Sequence, residues 1–542
     1  MQNVKLTFNR YGNTAIYSGV ALISLSILML EIGLMRIFSV MFESHYVFLI
    51  ISLSILGLGL GGVYVHMRMA KSSEQNIEHI HKYMHLSSGL MAVSILIMVI
   101  FIVNIPFFQN IYRTAFLAFI PFFLGGMFLS TVFRIYPEKS SYLYAADLIG
   151  ASIGSILIVF LLRFGGINIS LMVATIASLP ACFFIFNRSV PKFKRPAYLL
   201  ITISLFLLFV FNYSGAFLGT IPFATGARKE MAHFLGHPTL EANIADSRWS
   251  AFGRTDLIVE EGNPDEKLFF IDGSAGTAMY RFDGDIKSLD RPEFTHFSGY
   301  FPFEVLLKKE KEKVLIIGAG GGREVLVSLL GGAKEITAVE VNKDLVDLMK
   351  KYSAFNGGIY NGFPGVKVIV EEGRNFIRST KENYDIIMLS IPVTKTSRSP
   401  EGFVLTENFL FTVESINDYL DRLNKDGRLV IVAHKDIEIF RLVFTGLSAL
   451  EKRGIPPQEA MKHIYTVGPK MFPVFVLKKS PFTPQEAKKV HENMHEHNYS
   501  TLSSFIPFVE QATHTISLGE GLYKEHQMFN DALYLISKGQ NS

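Results

Sequence analysis

Seven apolar stretches crowd the first two-fifths of this chain, at about 15–40, 46–67, 84–104, 114–134, 142–163, 167–187 and 197–213. Each approaches the ~20 apolar residues that a helix needs to cross a hydrocarbon core. Helices satisfy their own backbone hydrogen bonds in lipid, so the stretches predict a multi-pass α-helical membrane bundle. The whole chain of 542 residues is 49% apolar and only 18% charged, a balance expected when half of it lies in a bilayer. A net charge of +4, with no basic aromatic stripe, gives no reason to expect a nucleic-acid partner. The single cysteine, Cys182, excludes an intrachain disulfide and a cysteine-based metal site. The first apolar run is too long for a cleavable signal peptide and lacks a small-residue cleavage site.

Small residues predict close helix contacts: Gly57, Gly59, Gly61 and Gly62 in the second stretch, and Gly150-xxx-Gly154 in the fifth. Glu31, Arg36 and Asp147 fall inside or at the margin of spans, where charge is costly and side chains turn to the bundle interior. Arg36 is expected to reach the interface or to meet Asp147 on another helix. Lys5, Arg10, Arg68, Lys71, Lys82, Arg134, Lys139, Arg188, Lys192, Lys194 and Arg195 all fall on one side of the spans, against Arg113 and Arg163 on the other. The positive-inside rule makes the first side, with the N-terminus, cytoplasmic. Seven crossings would put the C-terminal half outside, away from a cytosolic cofactor. The expectation is therefore a cytoplasmic soluble half on a plasma- or inner-membrane protein, with one segment in 197–227 re-entrant or split.

From about 228 the composition changes. Thr255–Glu260, Lys267–Gly273 and Ala278–Arg281 alternate apolar residues between turn signals and read as hairpins of a small β-rich domain. From about 312 the pattern becomes strand–helix alternation. Strands are expected at 313–318, 335–341, 366–371, 384–390 and 427–433, with helices at 322–331, 343–354, 373–380, 406–424 and 435–453. That order predicts an α/β doubly wound, Rossmann-like domain with a parallel sheet covered on both faces. The domains are then an N-terminal segment (1–14), the bundle (15–213), a linker with the β-rich domain (214–300), the α/β domain (301–480) and a helical tail (481–542).

Val314-Leu-Ile-Ile-Gly-Ala-Gly-Gly-Gly322 is a strand running into a glycine turn that opens a helix, and Glu340 ends the next strand. Glycines let the backbone approach a ligand and the helix start offers free N–H groups. A carboxylate at Glu340 can accept both ribose hydroxyls of an adenosine. Glu371, Glu372 and Gly373, at the end of the third strand, can contact its base. Arg323 stands where the dinucleotide fingerprint needs its third glycine, and no Gly-Lys-Ser/Thr follows, so neither a dinucleotide nor a P-loop site is expected.

These residues resemble the class I S-adenosylmethionine (SAM)-dependent methyltransferases, and more closely their spermidine-synthase-like branch. Phe270-Ile-Asp-Gly273, Glu293–Pro302, Leu405–Thr412 and Leu423–Val430 resemble that branch's strand motif, substrate-contacting helix, fourth helix and fifth strand. Leu30-Glu-Ile, Arg36-Ile-Phe-Ser and Tyr144–Leu148 look like the membrane-anchored members. The resemblance implies that Gly318, Gly320, Gly322, Glu340, Glu372 and Gly373 hold SAM or decarboxylated SAM. It also exposes departures: the loop aspartate of polyamine synthases is Gly321 here, their Tyr-His-Glu stretch reads His296-Phe-Ser298, and their Asp-Ser-x-Asp-Pro reads Leu389-Ser-Ile-Pro392. A buried ammonium needs countercharge and a protonated amine is no nucleophile, so a free polyamine product is not expected.

Candidate catalytic groups are Ser390 and His434 at the ends of the fourth and fifth strands, with His296 and Tyr300 from the preceding segment. Asp272 reads as a turn residue. Thr394, Lys395, Thr396 and Arg398 lie in a Pro/Ser/Thr-rich loop, where the cations suit an anionic headgroup. His491, His495 and His497 have helical spacing, but with no further partner a metal is not expected. The leading expectation is an integral membrane transferase moving a methyl group from SAM to a lipid or other membrane-held small-molecule acceptor. The alternatives are aminopropyl transfer from decarboxylated SAM and a non-catalytic sensor or transporter that binds an adenosyl ligand. A homodimer is compatible with all three.

Overall fold

The computed structural model describes residues 13–42, 46–70, 77–186, 221, 229–237, 239–391, 409–468, 472–499, 504–509, 533–534 and 536–539. They fall into two compact units. One holds the residues up to Leu257 with Phe270–Ala275, and the other holds Ile258–Phe269 and the chain from Gly276 onward.

The first unit is built on α1 (Asn13–Met41), α2 (Val47–Ala70), α3 (Ile77–Asn104), α4 (Ile111–Ile135) and α5 (Ser140–Phe186). Five helical segments within them are long and apolar enough to cross a membrane: Ile16–Met41, Val47–Arg68, Leu86–Asn104, Ile111–Ile135 and Pro137–Phe164. The expected fifth and sixth spans lie together in α5, which breaks at Gly166 (φ 72°, ψ −173°). The expected stretch 197–213 lies outside the described residues.

Glycine sets the packing. A Cβ on Gly57 would sit 2.7 Å from Phe122 Cβ, and one on Gly150 would overlap the Ala21 carbonyl. Gly154 meets Leu25 in the same way, whereas Gly59 faces open space and Gly62 makes only ordinary contacts. The polar groups pair differently from the expected Arg36–Asp147 contact. Asp147 accepts from Ser24 Oγ. Arg36 donates to the carbonyls of Ala251 and Phe252. A short neutral donor serves Asp147 and backbone carbonyls serve the two terminal nitrogens of Arg36, so the two side chains are held apart by separate partners.

Strands β1 (Ala242–Trp249), β2 (Arg254–Glu260), β3 (Glu266–Ile271) and β4 (Ser274–Tyr280) form a four-stranded sheet in that order. β1 was not anticipated. Its sequence, Ala-Asn-Ile-Ala-Asp-Ser-Arg-Trp, is polar enough to hide the alternation seen in its burial.

The second unit carries a seven-stranded sheet from β5 (Lys313–Ile317), β6 (Glu335–Glu340), β7 (Val366–Val370), β8 (Tyr384–Ser390), β9 (Leu423–Val432), β10 (Ile464–Val467) and β11 (Val474–Lys478). Its order is β10-β11-β9-β8-β5-β6-β7. β5 to β9 run parallel, as expected. β11 lies antiparallel between β9 and β10, which makes the sheet mixed. Helices α6 (Arg323–Leu330), α7 (Lys343–Lys351), α8 (Gly373–Ser379), α9 (Val413–Arg422), α10 (Asp436–Glu451) and α11 (Pro484–Glu496) complete the unit. α9 starts later than expected, at its Thr412 cap, and β9 starts earlier, at Leu423. A core of Leu315, Ile317, Ile387, Leu389, Leu429 and Ile431 fixes the strands, so the C-terminal ends of β5, β6, β8 and β9 open along one edge.

Candidate cofactor and substrate site

The glycine turn leaves β5 with three residues in the left-handed region, Gly318 (φ 78°), Gly320 (φ 49°) and Gly322 (φ 91°), a path that side chains resist. Both carboxylate oxygens of Glu340 hold it in place. One accepts the Gly320 amide at 2.9 Å and the other the Asn342 amide at 2.8 Å. Asn342 in turn caps α7 through the amides of Asp344 and Leu345. Burial pushes the Glu340 carboxyl up from its ordinary value, and the amides of Asn342, Gly320 and Val341 oppose that shift. A carboxylate offers about four lone-pair positions. Two amides leave room for two hydroxyl donors, so the residues fit an adenosine ribose.

Thr277 and Tyr360 also hold the loop, and the sequence did not single them out. The Gly321 amide donates to Thr277 Oγ1 at 3.0 Å, and the Tyr360 hydroxyl donates to the Gly320 carbonyl at 2.9 Å. Burial, with the charges of Glu340 and Glu324 nearby, holds the Tyr360 phenol well above its ordinary pKa, so it stays a donor. Gly321 carries the most informative contact. A Cβ there would lie 2.5 Å from the Ala278 carbonyl carbon and closer still to its oxygen. The position that is an aspartate in polyamine synthases is filled here by backbone of β4.

Glu372 and Gly373 have local work to do. The Glu372 oxygens accept the amides of Arg374 (3.0 Å) and Asn375 (2.8 Å), capping α8. A Cβ on Gly373 would collide with Ile317, so this glycine lets α8 approach β5. Arg323, in place of a third glycine, lays its guanidinium 3.8 Å from the Phe297 ring centre and pairs with the buried Glu324.

The other half of the edge is differently made. Ser390 ends β8, is buried, and its Oγ has no hydrogen-bond partner among the described residues. Ile391 follows in the left-handed region (φ 46°), a strained setting for a β-branched residue, with its amide on the Val432 carbonyl at 3.0 Å. His434 follows β9 and is buried. Its amide donates to Glu438 and its carbonyl accepts from Phe472 (φ 63°). Ser298 Oγ donates to the Phe472 carbonyl, so the 297–299 segment reaches the same strand ends. Tyr300 is half-buried and stacks on Phe303. Burial, then Glu304 and Asp290, push its phenol up, which makes it a proton donor and no base. His296 is exposed, at the end of the short helix Pro292–Thr295. Thr394, Lys395, Thr396 and Arg398 lie outside the described residues.

Among the described residues, no group of three or more metal-ligating side chains converges. His491 and His495 contact each other at 3.1 Å, while His497 pairs with Glu304 at 2.7 Å.

A glycine turn after the central strand, an acid ending the next, and this strand order define the class I, SAM-dependent methyltransferase type of fold. Within it the branch is narrower: residues 302–467 match the spermine/spermidine synthase domain, so this stretch is similar to that domain. The polyamine aminopropyltransferase of Sulfurisphaera tokodaii is 28% identical over 169 residues, covering 30% of this chain and 55% of that protein. That of Korarchaeum cryptofilum is 31% identical over 144 residues, covering 26% of this chain and 40% of that protein. The chain thus spans about half the length of the curated relatives it matches. A spermidine synthase solved with the transition-state analogue AdoDATO aligns with a TM-score of 0.31 and 17% identity, covering 48% of this chain and 84% of that one.

Proposed function

We propose that the α/β half is a transferase acting on an adenosyl sulfonium, with aminopropyl transfer from decarboxylated SAM as its reaction. The observation that carries this reading is the spermine/spermidine synthase match over 302–467, coinciding with a glycine loop locked to a buried Glu340. Glu340 would take the ribose hydroxyls, and the Gly318–Gly322 backbone would face the sulfonium-bearing chain. In the transfer an amine nitrogen attacks the carbon beside sulfur. The C–N bond forms, the C–S bond breaks with its electron pair going to sulfur, and methylthioadenosine leaves neutral. The nitrogen then gives up one proton, for which Ser390 and His434 are the nearest candidates by position at the strand ends.

The acceptor departs from a free polyamine. Gly321, Ser298 and the stretch Leu389-Ser-Ile-Pro392 stand where polyamine synthases place acids, so nothing at those positions balances a multiply charged ammonium. This favours an acceptor amine of low charge or one held at the bundle. Incubating the purified full chain with aminopropyl-labelled donor and a panel of amines tests the reading. Release of methylthioadenosine with label in an amine supports it, and binding without release overturns it.

A second reading, methyl transfer from SAM to a membrane-held acceptor, is favoured by one observation. The Ala278 carbonyl at Gly321 removes the loop acid that would grip the donor's amino group. Methyl-labelled SAM with a membrane lipid extract separates the two readings, because only this one puts label into lipid.

A further inference from the structure

The first unit records which end of the bundle the hairpin strands rest on. Helix direction follows from residue pairs. Gly150 abuts Ala21 and Gly154 abuts Leu25, so the first half of α5 runs parallel to α1. Beyond the Gly166 break the direction reverses. Ile167 and Leu171 face Gly33, and the Ala174 carbonyl accepts Ser26 Oγ at 2.6 Å. The second half of α5 therefore runs back along α1, and Gly166 lies beside the C-terminal end of α1.

α2 and α4 are likewise parallel to each other, because Gly57 meets Phe122, Gly61 meets Gly126 and His66 meets Arg134. α4 ends at Ile135, and the short link Pro137–Lys139 leads into α5. The start of α5 lies at the N-terminal end of α1, where Tyr17 and Tyr142 stack at 6.0 Å. One end of the bundle therefore gathers the start of α1, the ends of α2 and α4, and the start of α5, with Arg68, Arg134 and Lys139. Lys5, Arg10, Lys71 and Lys82 adjoin that end in sequence, and Arg188, Lys192, Lys194 and Arg195 follow the returning half of α5 to it.

The hairpin residues are fastened to the other end, at separate points. Arg36 donates to the carbonyls of Ala251 and Phe252. The buried Lys229 donates to the carbonyls of Ser39 (2.6 Å) and Asp272 (2.9 Å). Ser39 Oγ donates to Asp272 Oδ2 at 2.6 Å, and the other Asp272 oxygen accepts the Arg254 amide at 2.8 Å. Trp249, the only tryptophan, packs against Gly166 at the reversal. Asp272 is thus a half-buried anchor at the end of α1 and more than a turn residue.

We propose that the hairpin strands lie on the non-cytoplasmic face of the membrane. The basic end is the cytoplasmic end, because Lys and Arg flanking short loops set orientation. The hairpin docks on the opposite end. The returning half of α5 delivers the chain to the basic end at Phe186, and Lys229 stands at the far end. The chain between them, with the apolar stretch 197–213, lies outside the described residues. No described helix beyond Phe186 is long and apolar enough to bring the chain back. This reverses the cytoplasmic placement expected from cofactor supply. It goes beyond the transfer reading, since it assigns a side of the membrane whichever group is moved.

Impermeant maleimide labelling of right-side-out vesicles tests the sidedness alone, without reference to activity. In a Cys182→Ala background, single cysteines are introduced by Ala245→Cys on β1, Glu261→Cys in the β2–β3 turn and Glu138→Cys at the basic end, all exposed positions. Labelling in detergent controls for access and folding. Ala245→Cys and Glu261→Cys should label in intact vesicles, and Glu138→Cys only after permeabilisation. The reverse pattern overturns the proposal, as does any pattern that puts the basic-end and hairpin probes on the same side.

Discussion

The two halves of one sheet edge are built by opposite means. At the ends of β5 and β6, side chains hold the backbone: Glu340 takes the Gly320 and Asn342 amides, Thr277 the Gly321 amide, and Tyr360 donates to the Gly320 carbonyl. At the ends of β8 and β9, a buried hydroxyl has no partner among the described residues, and two non-glycine residues, Ile391 and Phe472, sit in the left-handed region. Buried polar groups are ordinarily hydrogen-bonded, and strain persists where surrounding structure or function holds it. The contrast suggests a donor side complete in itself and an acceptor side completed by what binds there.

The largest expected effect tests whether the donor side has room for a polyamine-type loop. Gly321→Asp restores the acid that the family uses, yet its Cβ meets the Ala278 backbone, which no rotamer change relieves. The variant should lose about 3 kcal/mol or more of stability, the upper end for overpacking, and gain no aminopropyl transfer. Thermal unfolding alongside the transfer assay checks both. A stable, more active variant would show that β4 moves aside, and the contrast between the two halves would lose its footing.

Next comes the anchor itself. Glu340→Ala should weaken adenosyl-ligand binding at least ~100-fold by calorimetry, as expected when charge-assisted hydrogen bonds worth about 1.5–3 kcal/mol each are lost. Unchanged affinity would falsify the cofactor assignment. The pH dependence has a definite sign. The folded carboxyl titrates above its ordinary value of 4.5. Affinity that needs the carboxylate therefore falls as pH drops through that raised value, before an ordinary glutamate would respond. For the ligand-free fold the same shift works the other way: its stabilising contribution is fully present below 4.5 and is lost as pH rises through the folded value.

A smaller effect separates a ligand contact from a helix cap. Glu372→Ala removes the acceptor for two α8 amides and should cost about 1 kcal/mol of stability. If capping is its whole role, adenosyl affinity stays within twofold, and a tenfold loss would return Glu372 to the donor site.

The same contrast explains what the sequence made legible. The glycine run, Glu340 and the strand–helix alternation are local patterns, and they placed β5 to β9 and most of the helices. Thr277 and Tyr360 act on a loop about forty residues away through backbone atoms, and no local signal marks such a contact. β10 is four residues long, too short for a periodicity to register. Glu372 was visible as an acid opening a helix, a signature of capping, and was read as a base contact because its strand position also suits one. Asp272 read as a turn residue because its partners, Ser39 and Lys229, lie in other parts of the chain. On the acceptor side the sequence showed what was missing, the three acids, but had no means of showing an unpartnered hydroxyl.

The smallest expected effect is the sharpest test of that side, because its sign is unusual. Ser390→Ala deletes a buried hydroxyl that has no partner among the described residues, so the ligand-free protein should become slightly more stable, by up to about 1 kcal/mol. Ser328→Ala is the matched control. That hydroxyl is equally buried but donates to the Glu324 carbonyl at 2.7 Å, and its loss should destabilise by about 1 kcal/mol. Opposite signs for the same chemical change, read by thermal unfolding without ligand, would establish that the β8 end is held unsatisfied. If an acceptor completes it, Ser390→Ala should also raise the acceptor KM while leaving donor affinity untouched. A destabilised Ser390→Ala variant with an unchanged KM would mean that Ser390 is already satisfied in the free protein, and the acceptor side would then be as self-contained as the donor side.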